Sequence, residues 1–321
     1  MPLLVPSSFS VALICALPLE AAAATALLDT IYPPFTHLTR PTDPNTYTLG
    51  RLAGHNTVIA LLPGAGKLNA ALLAVDLRIS FPALALALVV GVAGAVPTSP
   101  SGVPIHLGDV LVSTAVAEFD LETANPRAPM PAPPGANPAL APRALLSRFA
   151  SPAAASRLRA RMGPYAAQLA ARPELRAAYP GPQADRLFAS AYQHRHRRGC
   201  SICSSGGMCS AVMGTDCSSI GCDLGYEIRR VKGARGPGVH FGVMGCSDWV
   251  VRAGTERDGV AVREQVVGFE MEAAGVWDTL PTIVVKGVAD YADSHKTKGW
   301  QAYASVTAAA CARALLEEAS G

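Results

Sequence analysis

Residues 84–90 form an unbroken apolar run of strand length, Leu-Ala-Leu-Ala-Leu-Val-Val. A strand that is apolar on both faces has to be covered on both faces, so this run predicts a central strand with helices on either side. Strand-like and helix-like runs alternate around it. Strands are predicted at 9–15, 47–52, 56–63 and 108–113, and helices at 19–31 and 67–79. This alternation is typical of an α/β fold.

The regular pattern stops near residue 120 and returns near 238. Residues 125–142 are rich in Pro and Ala, 143–172 are compatible with short helices, and five cysteines lie between 200 and 222. We therefore interpret 1–321 as a single domain with an inserted Pro/Ala- and Cys-rich segment at about 120–238. After the insertion, we predict a strand at 239–244, a helix at 268–280, a buried strand at 282–288 and an amphipathic helix at 300–319.

The overall charge argues against some classes of partner. The net charge is only +3 in 321 residues, whereas nucleic-acid binding is usually accompanied by a strong basic excess. No apolar stretch approaches the roughly 20 residues of a membrane span. Residues 9–24 resemble a signal peptide, but the first Lys or Arg is Arg40, so we interpret 9–15 as a buried strand and expect a cytoplasmic protein.

Three segments carry candidate chemistry. Residues 15–20 run from a strand end to Glu20, and residues 90–97 form a small-residue turn after the central strand. The third segment, 268–275, contains Glu270 and Glu272 and is followed by a strand that ends near Asp290. Taken singly, each has an ordinary structural explanation, such as an acid at a helix start or a tight turn.

A fourth segment, Pro63-Gly-Ala-Gly-Lys67, looks like a phosphate-binding loop. It lacks the full spacing of that motif and has Leu68 after the lysine. We therefore do not predict nucleoside triphosphate binding there.

Taken together, the segments are far more specific. Phe269-Glu-Met-Glu-Ala-Ala-Gly275, Lys286-Gly-Val-Ala-Asp-Tyr-Ala-Asp-Ser-His-Lys296 and Gly299-Trp300 resemble the C-terminal signature of the nucleoside phosphorylase/nucleosidase superfamily, in particular of fungal proteins that carry this domain. The resemblance covers about 8–118 and 238–320. It implies a three-layer α/β/α fold with a central mixed sheet and a site at the carboxyl edge of that sheet.

The resemblance also implies roles for individual residues. Asp290 matches the acid that protonates or hydrogen-bonds purine N7, which neutralises the charge left on the departing base. Glu272 matches the residue that binds the ribose hydroxyls, and Met271 the residue that packs on the sugar. Trp249 falls where the family places an aromatic ring against the base, although ordinary core packing is an alternative. The substrate-binding residues predicted in this way are Glu272, Met271, Glu270, Trp249, Val250, Ala93 and Gly94.

Glu20 separates hydrolysis from phosphorolysis. Phosphorylases of this superfamily carry an Arg at the matching place, and an Arg and a Ser or Thr where this chain has Val89 and Val92. A carboxylate there would repel phosphate and could activate a water molecule as a general base. We therefore predict a purine nucleosidase that uses water as co-substrate, with Glu20 and Asp290 catalytic. The alternatives are a phosphate-dependent phosphorylase and a non-catalytic nucleoside-sensing module.

Base preference stays open, because Ala289 replaces a Ser common in related nucleosidases and Ser247-Asp248 departs from the usual pattern. The superfamily needs no cofactor or catalytic metal, so none is predicted. The cysteines of 200–222 are compatible with zinc, with disulfides or with free thiols. The resemblance further suggests a homodimer or larger assembly, with 67–77 as a candidate contact helix.

Overall fold

The computed structural model describes residues 4–33, 42–120, 139–197, 199–230 and 236–319. The strands of these residues are β1 (Val11–Cys15), β2 (Thr30–Ile31), β3 (Tyr47–Leu52), β4 (His55–Leu61), β5 (Leu86–Ala95), β6 (Val110–Glu118), β7 (Val239–Cys246), β8 (Val266–Glu270) and β9 (Thr282–Asp290). The helices are α1 (Pro18–Thr25), α2 (Lys67–Ser80), α3 (Leu140–Ser147), α4 (Pro152–Ala170), α5 (Ser201–Ser204), α6 (Cys217–Ile220), α7 (Gly254–Glu264), α8 (Ala273–Trp277) and α9 (Gln301–Ala319).

The strands form one mixed sheet. β1 lies between β4 and β5 and is parallel to both, while β2, β3 and β4 continue the sheet in antiparallel order. On the other side, β5 pairs with β9, β9 with β6, β6 with β7, β7 with β8, and β8 returns to the end of β5. These five strands therefore close into a ring, which brings the ends of β5, β8 and β9 together.

Helices cover the sheet as the apolar central strand requires. α9 packs on β5, β6 and β9, with α1 and α4 against it, and α8 packs between α2 and the strands β6 and β9. β5 is buried at every residue from Ala87 to Gly91. The three-layer α/β/α fold with a central mixed sheet is confirmed.

Two local predictions were wrong. Residues 90–97 are not a turn, because β5 continues to Ala95 and pairs with β9 as far as Gly94 opposite Asp290. Residues 268–280 are not one helix, because the first of them belong to β8. Gly268 is needed in that strand, since a Cβ there would lie 2.3 Å from Leu111 Cδ1 and 2.8 Å from the Gly94 carbonyl oxygen.

Two predicted helices also differ from the structure. The helix predicted at 19–31 ends at Thr25 and gives way to β2. The C-terminal helix is not amphipathic over most of its length, because residues Tyr303 to Ala312 are all buried. α4 covers its outer side, which removes the solvent-facing stripe that a surface helix would need.

The segment predicted as an insertion has two parts. α4 contributes Leu158 and Met162, both fully buried, to the main core. Cys203, Val212 and Ile220 form a separate small cluster. Of the Pro/Ala-rich stretch, residues 125–138 lie outside the described residues. Among the described residues, no helix combines the length and apolarity needed to cross a bilayer.

Candidate active site

Glu20 is held where β1 passes into α1. Its Oε2 accepts hydrogen bonds from the backbone N–H groups of Ala16 at 2.8 Å and Leu17 at 2.9 Å, and its Oε1 accepts one from Val92 N–H at 2.8 Å. Only 1% of the residue is exposed. A carboxylate has about four lone-pair positions. Three are taken, so one remains for a ligand.

Gly91 makes room for this carboxylate. A Cβ at position 91 would lie 2.3 Å from Glu20 Oε1, closer than any real contact. The glycine that sequence reasoning assigned to a turn is therefore required by a side chain that packs across β5. Val89, which matches a phosphate-binding residue of the phosphorylases, is buried in the same strand. Val92, the second such position, donates its backbone N–H to Glu20.

Glu270, Glu272 and Lys286 form a buried charged group. Lys286 Nζ lies 2.8 Å from Glu272 Oε2 and 3.9 Å from Glu270 Oε2. Glu270 accepts hydrogen bonds from the backbone N–H groups of Glu272 and Ala273 at the start of α8. Burial alone would lower the pKa of Lys286, but the carboxylates of Glu272, Glu20 and Glu270 raise it above its ordinary value.

Asp290 is the last residue of β9. Its Oδ1 accepts a hydrogen bond from Ala292 N–H at 2.9 Å and lies 3.3 Å from Lys296 Nζ. Ala292 has a φ of 50°, a left-handed conformation that is uncommon for residues other than glycine. Both contacts fall on Oδ1, which leaves Oδ2 for a ligand. A Cβ on Gly94 would lie 2.9 Å from this carboxylate, so the close approach of β5 and β9 needs the glycine.

The four acids, Glu20, Glu270, Glu272 and Asp290, line one cavity of about 440 Å³, a size that suits a small-molecule ligand. The structure brings all the predicted site residues to its wall. They are Glu20, Ala93, Gly94, Trp249, Val250, Glu270, Met271, Glu272 and Asp290. Their individual roles remain predictions.

Trp249 differs from a core residue. It is 47% exposed and lines the cavity, with its ring edge-on to Phe119 at 6.0 Å between centroids. Ordinary core packing therefore does not explain its position. The exposed indole face is available to a flat aromatic ligand.

Sequence reasoning missed several residues of the site. Lys286 lies within the signature motif, and the resemblance implies no role for it, although a lysine inside an otherwise apolar strand run is a strong signal of a buried ion pair. The resemblance implies no role for Lys296 either, although this residue lines the cavity. Phe269, Met213 and Arg252 line the cavity as well, and Met213 comes from the Cys-rich segment, which no motif connected with the site.

The glycine-containing loop at 63–67, which precedes α2, contacts carboxylates and not the cationic and hydroxyl groups expected around a phosphate. Lys67 Nζ is engaged by Asp120 at 2.8 Å and Glu118 at 3.2 Å, and Lys67 N–H donates to Asp248 Oδ1. The lysine charge is compensated by carboxylates. A phosphate would meet these acids as well as the lysine.

Comparisons with known proteins agree with this architecture. The fold resembles that of 5′-methylthioadenosine/S-adenosylhomocysteine nucleosidases from Neisseria meningitidis (17% identity, TM-score 0.56, 96% of this chain and 98% of that one) and Colwellia psychrerythraea (15%, 0.58, 98% and 97%). It also resembles futalosine hydrolase of Helicobacter pylori (13%, 0.56, 97% and 98%). At these identities the likeness shows the fold alone.

Sequence comparison extends to a longer protein and to a family. A nucleotide-binding leucine-rich repeat (NLR)-like protein of Hyaloscypha variabilis is 30% identical over 332 residues, which cover 98% of this chain but only 30% of that relative. The family model of the phosphorylase superfamily matches residues 10–206, more than half of the chain. The chain therefore belongs to the phosphorylase superfamily.

Proposed function

We propose that the protein hydrolyses the N-glycosidic bond of purine ribonucleosides, releasing free base and ribose. The observation that carries this proposal is the position of Glu20, a buried carboxylate on the wall of the cavity. It stands where a phosphorylase of the resembled family would place a phosphate-binding cation. Glu20 is fixed by three backbone donors and keeps one lone pair for a water molecule.

The proposed reaction divides the work among three carboxyl groups. Asp290 acts in its protonated form, and the proton on Oδ2 is donated to N7 as the C–N bond breaks, so the base leaves without full negative charge. Glu272 binds the ribose hydroxyls and faces the positive charge that develops on the sugar. Glu20 takes a proton from water as the oxygen attacks C1′. The water proton therefore ends on Glu20, and the electron pair of the broken C–N bond stays on the departing base.

Lys286 supports this arrangement without touching the base. Its ammonium group lies 2.8 Å from Glu272 and offsets part of the repulsion among the buried carboxylates. Burial raises the pKa of Glu20, while the charge of Lys286 opposes that rise. A general base with a raised pKa accepts a proton more readily near neutral pH.

The walls of the cavity suit a purine nucleoside. Trp249 offers an aromatic face for the base, and Met271 and Phe269 provide apolar surface near the acids. The three acids and these apolar walls match a ligand with one flat apolar end and one hydroxyl-rich end.

A non-catalytic nucleoside-sensing module is a second candidate. The NLR-like relative is more than three times as long as the segment that matches this chain, so a domain of this kind also occurs inside a larger protein. The presence of all three acids at the cavity favours turnover over sensing alone.

A product analysis tests the proposal. The purified chain is incubated with adenosine, inosine and guanosine, with and without phosphate, and the sugar product is identified. Free ribose formed without phosphate supports hydrolysis. Ribose 1-phosphate formed only with phosphate would establish a phosphorylase, and binding without turnover would establish a sensing module.

We also propose that the protein is a homodimer or larger homo-oligomer. α2 exposes an apolar stripe at helical spacing, Leu68, Leu72, Val75 and Ile79, each between 47% and 72% exposed. The opposite side of this helix buries Ala70, Leu73, Ala74 and Leu77. An apolar stripe on a well-ordered helix is typical of a contact surface, and a second copy of the chain is the partner that the resemblance implies.

A further inference from the structure

We infer that the Cys-rich segment holds two zinc ions, and that one of them ties this segment to the loop that follows Asp290. Four histidine and cysteine side chains converge at each of two places. The core-linked cluster consists of His194, Cys217, Cys222 and His295. The outer cluster consists of His196, Cys200, Cys203 and Cys209. Within each cluster, all four ligand atoms lie within 4.8 Å of one another.

The distances in the core-linked cluster fit a tetrahedral metal site. Zn–S bonds of about 2.3 Å and Zn–N bonds of about 2.05 Å place sulfur and nitrogen about 3.6 Å apart at tetrahedral angles. Cys217 Sγ lies 3.6 Å from His194 Nδ1 and 3.5 Å from His295 Nδ1, and Cys222 Sγ lies 3.4 Å from His194 Nδ1. All three separations agree with the expected value to within about 0.2 Å.

The outer cluster repeats the pattern. Cys203 Sγ lies 3.7 Å and Cys209 Sγ lies 3.4 Å from the same atom, His196 Nδ1. A single ring nitrogen has either one proton or one lone pair, so it satisfies one thiol and not two. Because two sulfurs converge on one nitrogen in both clusters, a shared ion explains the geometry better than thiol–imidazole hydrogen bonds.

Contacts outside the core-linked cluster orient its histidines. His295 Nε2 lies 2.9 Å from the carbonyl oxygen of Tyr192, and this hydrogen bond places the proton on Nε2 and the free lone pair on Nδ1. Phe188 stacks on the His295 ring at 4.0 Å between centroids. The backbone N–H of His194 donates a hydrogen bond to Ser294 Oγ at 2.9 Å, and Ser294 is the residue next to His295 in the chain. The ring that would bind the ion is therefore already fixed in a binding orientation.

The donor sets select zinc. Two thiolates with two imidazoles, and three thiolates with one imidazole, are tetrahedral sets typical of structural zinc. Disulfides do not explain the segment, because all eight cysteines are free and its five cysteines cannot all pair with one another. Binding would displace the thiol protons to solvent and involves no change of oxidation state.

The segment also needs a source of stability besides its core. Among the described residues of 199–230, Cys203, Val212 and Ile220 form a cluster of only three buried hydrophobic residues. So small a core does not offset the conformational entropy of ordering such a segment. Metal ions supply that free energy in other small, Cys-rich units.

Both clusters lie next to residues that line the cavity. Met213 and Gly214 line the cavity and lie between Cys209 of the outer cluster and Cys217 of the core-linked cluster. His295 lies in the loop between Asp290 and Lys296, whose ammonium group pairs with Asp290. The two ions would therefore hold one wall of the cavity and position the loop of the predicted N7 acid. No step of the reaction runs through either ion.

Metal analysis of the full chain tests the inference. We expect two zinc ions per chain by native mass spectrometry and by elemental analysis of protein expressed with zinc. Cys200→Ser and Cys222→Ser should each leave one ion, whereas Cys311→Ala, which removes a buried thiol outside both clusters, should keep two. Wild-type protein that binds no zinc after reconstitution, or cysteines found in disulfides, would overturn the inference.

A second measurement uses the wild-type chain only, so it tests the inference even if the cysteine variants fail to fold. Replacement of zinc by Co²⁺ should give the visible absorption of tetrahedral cobalt together with sulfur-to-metal charge-transfer bands. Absence of these bands after Co²⁺ loading would contradict thiolate ligation. Both readouts are independent of the proposed hydrolase activity. Only the expected effect of Cys222→Ser on turnover, a rise of KM of about tenfold or more with a smaller change in kcat, rests on that proposal.

Discussion

Lys286 Nζ lies 2.8 Å from Glu272 Oε2, and both residues are almost completely buried. A lysine inside an apolar strand is costly unless its charge is compensated. Here the compensating charges are the carboxylates of Glu270 and Glu272 in the candidate site. The same ion pair therefore stabilises β9 and holds a predicted substrate-binding residue.

Lys286→Met should therefore be strongly destabilising. The variant leaves Glu272 and Glu270 buried without a counter-ion, and loss of one partner of a buried pair costs about 3–5 kcal/mol. The free energy of unfolding in urea measures the loss. In the double variant Lys286→Met/Glu272→Gln, part of the stability should return while activity stays low. Equal destabilisation of the single and double variants would contradict the pairing.

Glu20→Gln should lose hydrolysis and stay folded. The amide cannot take a proton from water, and its NH₂ group would face backbone N–H donors that now meet a carboxylate. We expect kcat to fall by about 10²–10⁴-fold. Glu256→Gln, an exposed acid on α7, is the matched control and should keep wild-type kcat. Full activity of Glu20→Gln would remove its role as general base.

The rate should also depend on pH through Glu20. Burial raises the pKa of its carboxyl group, and the general base has to be ionised. The contribution of Glu20 to activity is therefore complete above its raised pKa and is lost as the pH falls through that value. The acid limb of kcat/KM should lie above the ordinary glutamate value of about 4.3. Rates measured from about pH 4 to about pH 9, with circular dichroism to monitor folding, show whether the acid limb lies above that value.

The sequence predicted the fold and the site better than the local structure around the site. The apolar run 84–90 supplies the buried residues Ala87–Val90 of β5, and the predicted strand at Tyr47–Leu52 matches β3 residue for residue. Gly91 was wrongly assigned to a turn, because glycine usually breaks regular structure, and Gly268 was wrongly assigned to the start of a helix. Here each is needed so that another element can approach, the Glu20 side chain at one and β5 at the other. Such contacts are tertiary and leave no local signal.

The metal ligands illustrate the same limit. Cys200 and Cys203 were recognisable from their spacing, whereas His295 lies far along the chain and joins Cys217 only after folding. A ligand set assembled from distant segments has no spacing signature. This reason applies to His295 only, because His194 and His196 lie a few residues before Cys200 and their local signal was overlooked.

Gly91→Ala should reduce activity through Glu20. The added methyl group would lie 2.3 Å from Glu20 Oε1 and would push the carboxylate away from Val92 N–H. A displacement of about 1 Å can cost about 100-fold in rate, so we expect a loss of that order in kcat/KM. Gly163→Ala in α4 is the control, because nothing lies within 4 Å of its added Cβ. That variant should keep its activity and gain up to about 1 kcal/mol of stability.

Leu72→Glu should weaken self-association. Leu72 is 60% exposed in the centre of the apolar stripe on α2, and a charge at the centre of an apolar contact would be desolvated without a partner. Sedimentation velocity at several concentrations should show an oligomer for the wild type and a shift toward monomer for the variant. Val262→Glu on α7, where the valine is 75% exposed, is the control and should leave the assembly unchanged. A wild-type chain that remains monomeric at high concentration would show that the stripe is not a contact between copies.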